Sequence, residues 1–541
     1  MNRVLRNRRR SLILFGAIIL LQVIMMVVVS GQKQEYHIDE IYSHILSNSY
    51  EADKISNVDA FWGKWVSGES FYDFVEVKPG QRFAYNKVYD NNISDCHPPL
   101  YYWILHTICS LFPGTFSKWI GLGINILLLV IVDILVCFIS LAVVKTEKFQ
   151  SLPVLLYGFS LAAIDTVLFI RMYMLLTVWA LAFAYLSMTV MKKGCTKKNL
   201  ALMFFITYMG AMTHYYFIVF AFCATATLMA YLFYKKQYKN AWAVAATELL
   251  GIGAMLASYP YAIMQVTGSS TNNVGNEVTR TLFDFRLWLH EILSLCKQTV
   301  SLACFSKKVS AAAVALVLIL LLILLIKRAR DRKGVKELFS REIVYMAVSL
   351  GATFLLIAYI GGIYVYVRYV YYIFPLFYIL LIAFLDRLLG DCGRVKSGVL
   401  ALTVVFAVSN AALCVGLKKS SYLFQSIAVE DQKIELHKED GLIVACMKRS
   451  AAIPTGNFTK IVRCSAVYLD TVENLIRDQT AEKYVLQHDR CLLYVPTDRY
   501  WTKVEKPPET IIQEILCGNQ EIQFSYYAKG SLGDYYLLKK Q

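Results

Sequence analysis

The chain has 541 residues, of which 57% are hydrophobic and only 17% are charged. A water-soluble chain of this length needs more charge to cover its surface, so the composition excludes an ordinary soluble protein. The formal net charge of +16 would suit a nucleic-acid-binding protein. The basic residues, however, form short clusters beside apolar runs, as at 3–10 and 192–198, which is typical of charges that anchor membrane helices in the cytoplasm. The sequence therefore indicates a polytopic protein of the cell membrane that does not bind nucleic acid.

Eleven apolar runs are predicted to be membrane-spanning helices, since a span needs roughly 20 residues. The arginines at 3–10 keep the N-terminus in the cytoplasm, and the direction of the later spans alternates from there. An odd number of spans places the C-terminus outside. The predicted spans are residues 11–30, 119–144, 152–170, 172–191, 200–213, 215–234, 241–263, 309–326, 343–364, 369–385 and 399–417.

The remaining segments of this membrane module are predicted to lie outside or at the surface. The first external loop, 31–97, is long and aromatic and is predicted to form short helices on the outer membrane surface. Residues 98–112 are apolar but short, which favours a partly embedded helix. The Gly/Ser/Thr/Asn-rich stretch 268–276 predicts an external turn, and 282–305 predicts an amphipathic surface helix.

The composition changes from about residue 418, where charged residues alternate with short β-rich runs such as Leu442-Ile443-Val444. This pattern predicts a small external α/β domain rather than a disordered tail. The domains are therefore a membrane module at 1–417, which includes the loop 31–97, and an external domain at 418–541. The predicted fold class is mainly α, a polytopic helical bundle with a small C-terminal α/β domain.

Two adjacent carboxylates, Asp39 and Glu40, follow the first predicted span. Acids after a membrane helix are often only solvated loop charge. The alternative is that Asp39 is a general base at the outer membrane face, where it takes a proton from a hydroxyl group. The sequence of this stretch is compatible with both interpretations.

Two arginines, Arg171 and Arg368, are predicted at the external ends of spans, within apolar and aromatic stretches. An arginine in such surroundings is costly and usually has an anionic partner. Either these side chains extend to lipid headgroups, or they form a phosphate clamp, for which the guanidinium group is well suited. In the second case the nearby Tyr173 and Tyr369 are further candidates for substrate binding.

A third polar element is the stretch Asp95-Cys-His97-Pro-Pro, whose prolines fix the chain where it re-enters the membrane. His97 is either a cap or, with Asp95, part of the same external site as Asp39. His214, at the outer corner of a predicted hairpin, is a fourth candidate for substrate binding and equally well a structural histidine. The spacing of these residues selects no metal, so a divalent cation is left open and no metal or other cofactor is predicted.

In their order along the chain these motifs resemble the GT-C superfamily of membrane glycosyltransferases. They are the Asp-Glu pair after the first span, Asp-x-His-Pro-Pro-Leu at the re-entry, Arg-Met-Tyr opening a later span and an external Thr-His-Tyr. More narrowly, residues 3–417 are similar to the protein O-mannosyltransferase and aminoarabinose-transferase-like group. The chain departs from the mannosyltransferases at Tyr101-Tyr102, where they have Gly-Lys, and it has no acid directly beside Arg171.

The resemblance implies an integral membrane glycosyltransferase that moves a hexose or pentose from a polyprenyl-phosphate donor. The acceptor would be a cell-envelope glycan, lipid or protein outside the membrane. By the same resemblance Asp39 is the catalytic base, Glu40 supports it or shapes the acceptor site, and His97 lies at the mouth of the site. Arg171 and Arg368 would hold the lipid phosphate. A direct displacement would invert the anomeric centre of the sugar.

Two other classes of function compete with an enzyme. A transporter or flippase of lipid-linked saccharides would use the same arginines, but would favour functional charge deep in the bundle and two related halves. Here the polar signals cluster on the external side, and no symmetry between halves is visible. A membrane-anchored binding protein would need one span rather than eleven. An enzyme is therefore favoured, and loss of turnover in Asp39→Asn with intact lipid binding would separate it from both alternatives.

Overall fold

The computed structural model describes residues 2–267, 284–330, 338–361, 366–390, 393–499 and 502–541. The predicted external turn at 268–276 lies outside these ranges. The chain divides into two compact units, and each is assembled from separate stretches of sequence. The helical unit comprises Met1–Gln32, Ser94–Tyr101 and Gly121–Ser421, and the sheet unit comprises Lys33–Ile93, Tyr102–Ile120 and Tyr422–Gln541.

The helical unit consists of α-helices with apolar side chains on most of their surface. Inside a bilayer a chain has to satisfy its backbone polar groups internally, and the α-helix does so. Large apolar side chains remain exposed on the outer helices, as on Lys307–Arg330, where Leu318 is 60% exposed. The helices of this unit are Asn2–Gln32, Lys118–Val143, Leu152–Gly158, Leu161–Leu168, Tyr173–Lys193, Lys197–Ala211, Tyr215–Tyr234, Tyr238–Ser258, Ala262–Thr267, Phe285–Ser301, Lys307–Arg330, Arg341–Ile360, Ile373–Leu389 and Gly393–Gly416.

Eight of the described helices are long and apolar enough to cross a membrane, and one bent pair of helices would raise the number to nine. The multi-pass bundle predicted from the sequence is therefore confirmed, but the count of eleven spans is not reached on this criterion. The two remaining predicted spans correspond to Lys197–Ala211, with 15 residues, and Ile373–Leu389, with 17 residues. Both are shorter than the roughly 20 residues that a straight span needs.

The bent pair replaces the single span predicted at 152–170. Helices Glu147–Gly158 and Leu161–Leu168 meet at an angle of 50°. Two side chains satisfy backbone groups that the break exposes. The Ser160 hydroxyl accepts a hydrogen bond from the amide of Ala163 at 3.2 Å, and the Asn410 amide donates to the carbonyl of Phe159 at 3.1 Å. A helix break of this kind is tolerated within the bundle because the protein itself replaces the lost helical hydrogen bonds.

The sheet unit is organised around six strands, β1 (Trp65–Val66), β2 (Leu442–Cys446), β3 (Val467–Thr471), β4 (Arg490–Pro496), β5 (Ile522–Lys529) and β6 (Gly533–Lys540). Their order across the sheet is β1-β3-β2-β4-β6-β5. Strands β3, β2 and β4 are parallel to one another, and all other neighbours are antiparallel. The parallel strands are buried over most of their length, which explains their largely apolar sequences.

Helices cover both faces of this sheet. Alternate residues of a strand point to opposite faces, so Leu442 and Val444 contribute to one core and Ile443 and Ala445 to the other. Helices Val472–Asp478, Thr480–His488 and Pro508–Ile515 supply the second core. The other helices of the unit are Ile38–Asn48, Tyr85–Ile93, Leu100–Leu111, Gln425–Glu435, Ala452–Gly456 and Phe458–Ile461.

The first external loop forms part of this sheet unit. Strand β1 lies in the loop and pairs with β3 of the tail, with Trp65 opposite Tyr468. Phe61, Phe71 and Phe74 are buried in the same core as Leu442. The sequence instead predicted helices on the membrane surface for these aromatic residues, because aromatic side chains favour both environments. The tail joins the sheet unit at Tyr422, close to the predicted boundary at 417/418, and most of the first external loop belongs to the same unit.

Candidate active site

Asp39 lies in the first turn of the helix Ile38–Asn48, which is called the Asp39 helix below. His37 caps this helix, because its Nδ1 accepts a hydrogen bond from the amide of Asp39 at 3.1 Å. The Glu40 carboxylate completes the capping box by accepting from the amide of His37 at 2.6 Å. The first turn of a helix favours negative charge. The side chain of Asp39 is 26% exposed, so a carboxylate is available to solvent at this position.

Glu40, the neighbour of Asp39, is fully buried and paired with Lys33. The Lys33 Nζ lies 3.0 Å from both carboxylate oxygens of Glu40, and neither side chain is exposed. The same ammonium donates to the backbone carbonyl of Tyr422 at 2.9 Å. Since protein groups engage both of its oxygens, Glu40 is arranged to hold the start of the Asp39 helix. Lys33 was not singled out in the sequence, where it is one of many lysines beside an apolar run.

The remaining seven predicted site residues all belong to the helical unit. Within it, His97 Nδ1 lies 2.9 Å from a carboxylate oxygen of Asp95 and 3.4 Å from Nη2 of Arg171. A single ring nitrogen cannot donate to Asp95 and accept from Arg171 at once. The shorter contact and the negative charge of Asp95 assign the Nδ1 proton to the bond with Asp95. His97 is therefore oriented by Asp95, with the guanidinium of Arg171 beside it.

Charges in this cluster determine which side chains are ionised. Burial would raise the pKa of Asp95, but His97 and Arg171 outweigh that effect and hold the pKa below its usual value. Burial lowers the pKa of His214 well below its usual value, and His97, Arg171 and Arg368 lower it further. Asp95 is therefore a carboxylate and His214 a neutral imidazole at neutral pH. The cluster also contains two arginines, Arg171 and Arg368, whose guanidinium groups are always charged.

Arg171 lies in the turn between helices Leu161–Leu168 and Tyr173–Lys193 and is only 5% exposed. Its guanidinium is buried beside His97 and does not extend outward, as the lipid-headgroup interpretation would require. The turn is held by Asn125, whose amide donates to the carbonyls of Val167 at 3.0 Å and Phe169 at 2.9 Å. Asn125 was missed in the sequence, although an asparagine inside the apolar run 119–144 was a signal.

Arg368 lies in a short 3₁₀ helix, Val367–Val370, among aromatic rings. Its guanidinium carbon is 4.8 Å from the ring centroid of Tyr366, 5.6 Å from that of Tyr369 and 5.7 Å from that of Phe169. A cation over aromatic faces is stabilised by the ring quadrupole, which lowers the cost of holding it out of water. The amide of Val367 donates to the side chain of Gln298 at 3.0 Å, so Gln298 anchors this segment.

Aromatic contacts join the histidines to the tyrosines near the two arginines. The ring centroid of His214 is 5.2 Å from that of His97, 5.7 Å from that of Tyr173 and 6.3 Å from that of Tyr369. The structure thus brings Asp95, His97, Arg171, Tyr173, His214, Arg368 and Tyr369 into one cluster, called the arginine cluster below. Asp39 and Glu40 belong to the sheet unit.

One group in the described part of the chain has donor atoms close enough together to hold a metal ion. The ligand atoms of Asp95, Cys96 and His97 lie within 4.8 Å of one another. A carboxylate, a thiolate and an imidazole would suit zinc. The Nδ1 of His97, however, is bonded to Asp95 and faces the guanidinium of Arg171, and this fixed positive charge opposes a second cation. The chemistry of the cluster thus fits an anion better than a cation.

Comparison with known proteins identifies a similar fold. No protein-family model matches the chain, and no curated protein matches it in sequence. Its structure is similar to the crystal structure of ArnT from Cupriavidus metallidurans bound to undecaprenyl phosphate, with a TM-score of 0.53. The similarity covers 97% of this chain and 97% of that chain at 11% sequence identity. At this identity the similarity establishes the fold alone.

The chain therefore has a fold similar to that of ArnT, which agrees with the fold that the resemblance of its motifs predicted. It is a multi-pass membrane protein with a bundle of apolar helices and a small α/β unit. The similarity extends over nearly the whole chain, so it includes the tail that the sequence motifs left unexplained.

Proposed function

We propose that this protein is a glycosyltransferase that moves a sugar from a polyprenyl-phosphate donor to a cell-envelope acceptor on the external face of the membrane. The fold supports the class of enzyme. The arginine cluster supports the donor, since it offers two cationic side chains beside apolar helices. ArnT, which has a similar fold, was crystallised with undecaprenyl phosphate, a lipid phosphate of the kind that such a donor would release.

The observation that carries the proposal is the buried position of Arg171. A guanidinium that is 5% exposed in apolar surroundings is costly unless an anion accompanies it. Asp95 is one anion near Arg171, and Arg368 adds a second cation to the cluster. Guanidinium groups bind phosphate oxygens through paired, charge-assisted hydrogen bonds. Lipid phosphate is an anion that reaches such a cluster by lateral diffusion in the membrane.

In the proposed mechanism Asp39 is the general base. It accepts the proton of the acceptor hydroxyl while that oxygen attacks the anomeric carbon of the donor sugar. The bond between the anomeric carbon and the phosphate oxygen breaks, and its electrons leave with the polyprenyl phosphate. Arg171 and Arg368 stabilise the negative charge that develops on this leaving group. The displacement inverts the anomeric centre, and the step needs neither a nucleotide nor a redox cofactor.

The proposal keeps the membrane orientation and the domain assignment inferred from the sequence. The N-terminus is cytoplasmic, and the C-terminal residues 418–541 are extracytoplasmic together with Asp39. The membrane module 1–417 supplies the donor site, with His97, Tyr173, His214 and Tyr369 near the phosphate. The basic clusters that flank the cytoplasmic ends of the helices support this orientation.

The test is the release of polyprenyl phosphate by purified protein from a panel of lipid-linked sugars with cell-envelope acceptors. Wild type, Asp39→Asn and the control Asp90→Asn, an exposed acid of the same unit, are compared. We expect turnover by wild type and Asp90→Asn, and a loss of at least about a hundredfold for Asp39→Asn, the usual contribution of a general base. Donor binding should be retained.

Three outcomes would contradict parts of the proposal. Equal turnover by wild type and Asp39→Asn would move the base to another residue. A product with retained anomeric configuration would exclude the direct displacement. Donor binding without turnover across the whole panel would favour the transporter or flippase.

A further inference from the structure

The segment that leads into the Asp39 helix is tied to the start of the tail, within the sheet unit. Lys33 Nζ donates to the backbone carbonyl of Tyr422, which is 389 residues away in the sequence. The amide of Gln34 donates to the carbonyl of Leu423 at 2.9 Å. The Lys33 ammonium also lies 4.6 Å from the ring centroid of Phe424. Residues 33–34 and 422–424 therefore form one connection, called the Lys33 clamp below.

The clamp reaches Asp39 through an unbroken series of contacts. Lys33 pairs with Glu40, and Glu40 accepts from the amide of His37 at 2.6 Å. His37 in turn accepts from the amide of Asp39 at 3.1 Å and lies over Phe424, with 6.0 Å between ring centroids. Each member fixes the next, so the position of Lys33 determines where the first turn of the Asp39 helix begins.

We propose that Lys33 is a positioning residue for Asp39, and that the tail contributes to catalysis by holding this lysine at Tyr422. The inference rests on the proposed role of Asp39 as the base. General-base catalysis depends on the distance from the carboxylate to the hydroxyl proton, and small misplacements lower the rate strongly. A side chain that fixes the helix start therefore affects turnover without touching either substrate.

The burial of the pair supports a specific role over general stabilisation. Two charges with no exposed surface gain little over well-packed apolar side chains, because removing them from water is costly. Burial lowers the pKa of Lys33, and the Glu40 carboxylate opposes that effect. The pair instead fixes the orientation of these groups, because the three donors of the Lys33 ammonium bind two carboxylate oxygens of Glu40 and the carbonyl of Tyr422. An apolar pair would fill the space but would leave the helix start free to shift.

The test compares Lys33→Met with the double variant Lys33→Met/Glu40→Gln in the full-length protein. The single variant leaves a buried carboxylate without its cation and should lose stability. The double variant removes both charges, while the Gln side chain can still accept from His37, so its stability should return toward that of wild type. The control is Lys78→Met, which removes an exposed pair with Asp73 in the same unit.

Three experiments are made on each variant: thermal unfolding gives the midpoint, steady-state kinetics give kcat and the donor KM, and hydrogen exchange is followed at the amides of 39–41. For both Lys33 variants we expect kcat to fall about tenfold or more with donor KM within about twofold. Their amides should exchange about tenfold faster. The double variant should keep both defects after its stability has recovered, which a purely structural role would not produce. Lys78→Met should match wild type in all three.

The outcomes separate this inference from the proposed function. A kcat that recovers together with the unfolding midpoint in the double variant would overturn the positioning role. Unchanged exchange at 39–41 in Lys33→Met would overturn the clamp itself, whatever the activity. If wild type turns over no donor, the proposed function is wrong, and so is the catalytic role proposed for the Lys33 clamp. The exchange data would then still decide whether Lys33 fixes the helix start.

Discussion

Asp39 and Glu40 are neighbours in the chain with opposite environments. The side chain of Asp39 is 26% exposed, whereas that of Glu40 has no exposed surface. Successive helical residues project about 100° apart, so one of two adjacent acids can face solvent while the other enters the core. A carboxylate at the first turn is favoured by the helix dipole, and the buried one is compensated by Lys33. The two acids thus occupy separate environments, and only Glu40 is enclosed in the core.

Substitution of each acid should therefore change a different property. Glu40→Ala leaves the Lys33 charge buried without its partner, a change that typically costs about 3–5 kcal/mol of stability. Asp39→Asn should cost less, on the order of the helix-dipole contribution of about 0.3–1 kcal/mol, because this side chain is partly exposed. Thermal unfolding of the detergent-solubilised variants, followed by tryptophan fluorescence, measures the difference. An equal loss of stability in both would show that Asp39 is also a structural residue.

Two substitutions of Arg171 separate the contribution of its charge to donor binding from that of its planar geometry. We expect Arg171→Gln to raise the KM for the lipid-linked donor by about 10–100-fold, since charge-assisted hydrogen bonds to the phosphate are lost. Arg171→Lys keeps the charge but not the planar pair of donors, and should recover only part of the affinity. Steady-state kinetics with one donor measure both variants. Full recovery by lysine would show that charge alone is needed at this position.

At the scale of secondary structure, the turn between helices Leu161–Leu168 and Tyr173–Lys193 presents Arg171. A helix that ends inside the bundle leaves carbonyl groups without helical partners. Asn125, which is fully buried on the neighbouring span, satisfies those of Val167 and Phe169. The same hydrogen bonds that close the helix end thereby fix the start of the turn, two residues before the arginine.

Replacement of Asn125 by Leu should therefore weaken donor binding from a distance. The Val167 carbonyl would lose its Asn125 donor, at a cost of about 1–3 kcal/mol for an unsatisfied buried group, whereas that of Phe169 would keep the amide of Arg171. We expect a lower unfolding temperature and a donor KM raised in the same direction as in Arg171→Gln. The control is Asn240→Leu, whose amide bonds only to Gln237 at the surface in the described structure. A loss of stability with unchanged donor KM would separate Asn125 from the arginine cluster.

A second element-scale feature is the charge cluster that joins the start of the first loop to the tail. Glu35 pairs with Arg463 at 2.8 Å, and Asp431 pairs with Lys460. Burial and the nearby Asp431 carboxylate raise the pKa of Glu35 to about 7, against the opposing charges of Arg463 and Lys460. The folded protein therefore holds a proton on Glu35 at pH values where an unfolded chain has released it.

The sign of the resulting pH dependence follows from this raised pKa. Because the folded state binds the proton more tightly, the Glu35 contribution is fully present below about pH 4.5 and is lost as pH rises toward 7. We expect the wild-type unfolding temperature to fall across this window, and the fall to be smaller in Glu35→Gln. The exposed Glu51→Gln serves as the control and should retain the wild-type slope. Identical slopes in all three proteins would contradict the assignment.

At the scale of the whole molecule, the sequence predicted the membrane helices well because lipid imposes a simple rule. A crossing segment has to be apolar and helical over most of its length, and both properties are local. Arginines and histidines in apolar surroundings were found for the same reason, since their cost is visible in the sequence around them. All seven residues of the arginine cluster were candidates in the sequence, and the structure brings them together, while their roles stay predictions.

Features that depend on residues far apart in the chain could not be predicted from the local sequence. In the sequence Lys33 is one of several basic residues beside a span. Its importance is visible only in the folded chain, where it contacts Tyr422 and Glu40. Strand β1 has two residues, too few for a recognisable alternation, and exists only because β3 pairs with it. The break at Phe159-Ser160 depends on Asn410 from another helix. In each case the stabilising group comes from far along the chain.

The pairing of β1 with β3 has a consequence for biosynthesis. Trp65 pairs with Tyr468, so roughly 400 residues, including most of the membrane helices, emerge from the ribosome between the two partners. At about 5–20 residues per second, β3 is synthesised on the order of 20–80 s after the first loop. Its buried aromatic side chains are uncovered during that interval and offer a binding surface to chaperones. The first loop therefore completes its fold only after β3 of the tail has been made.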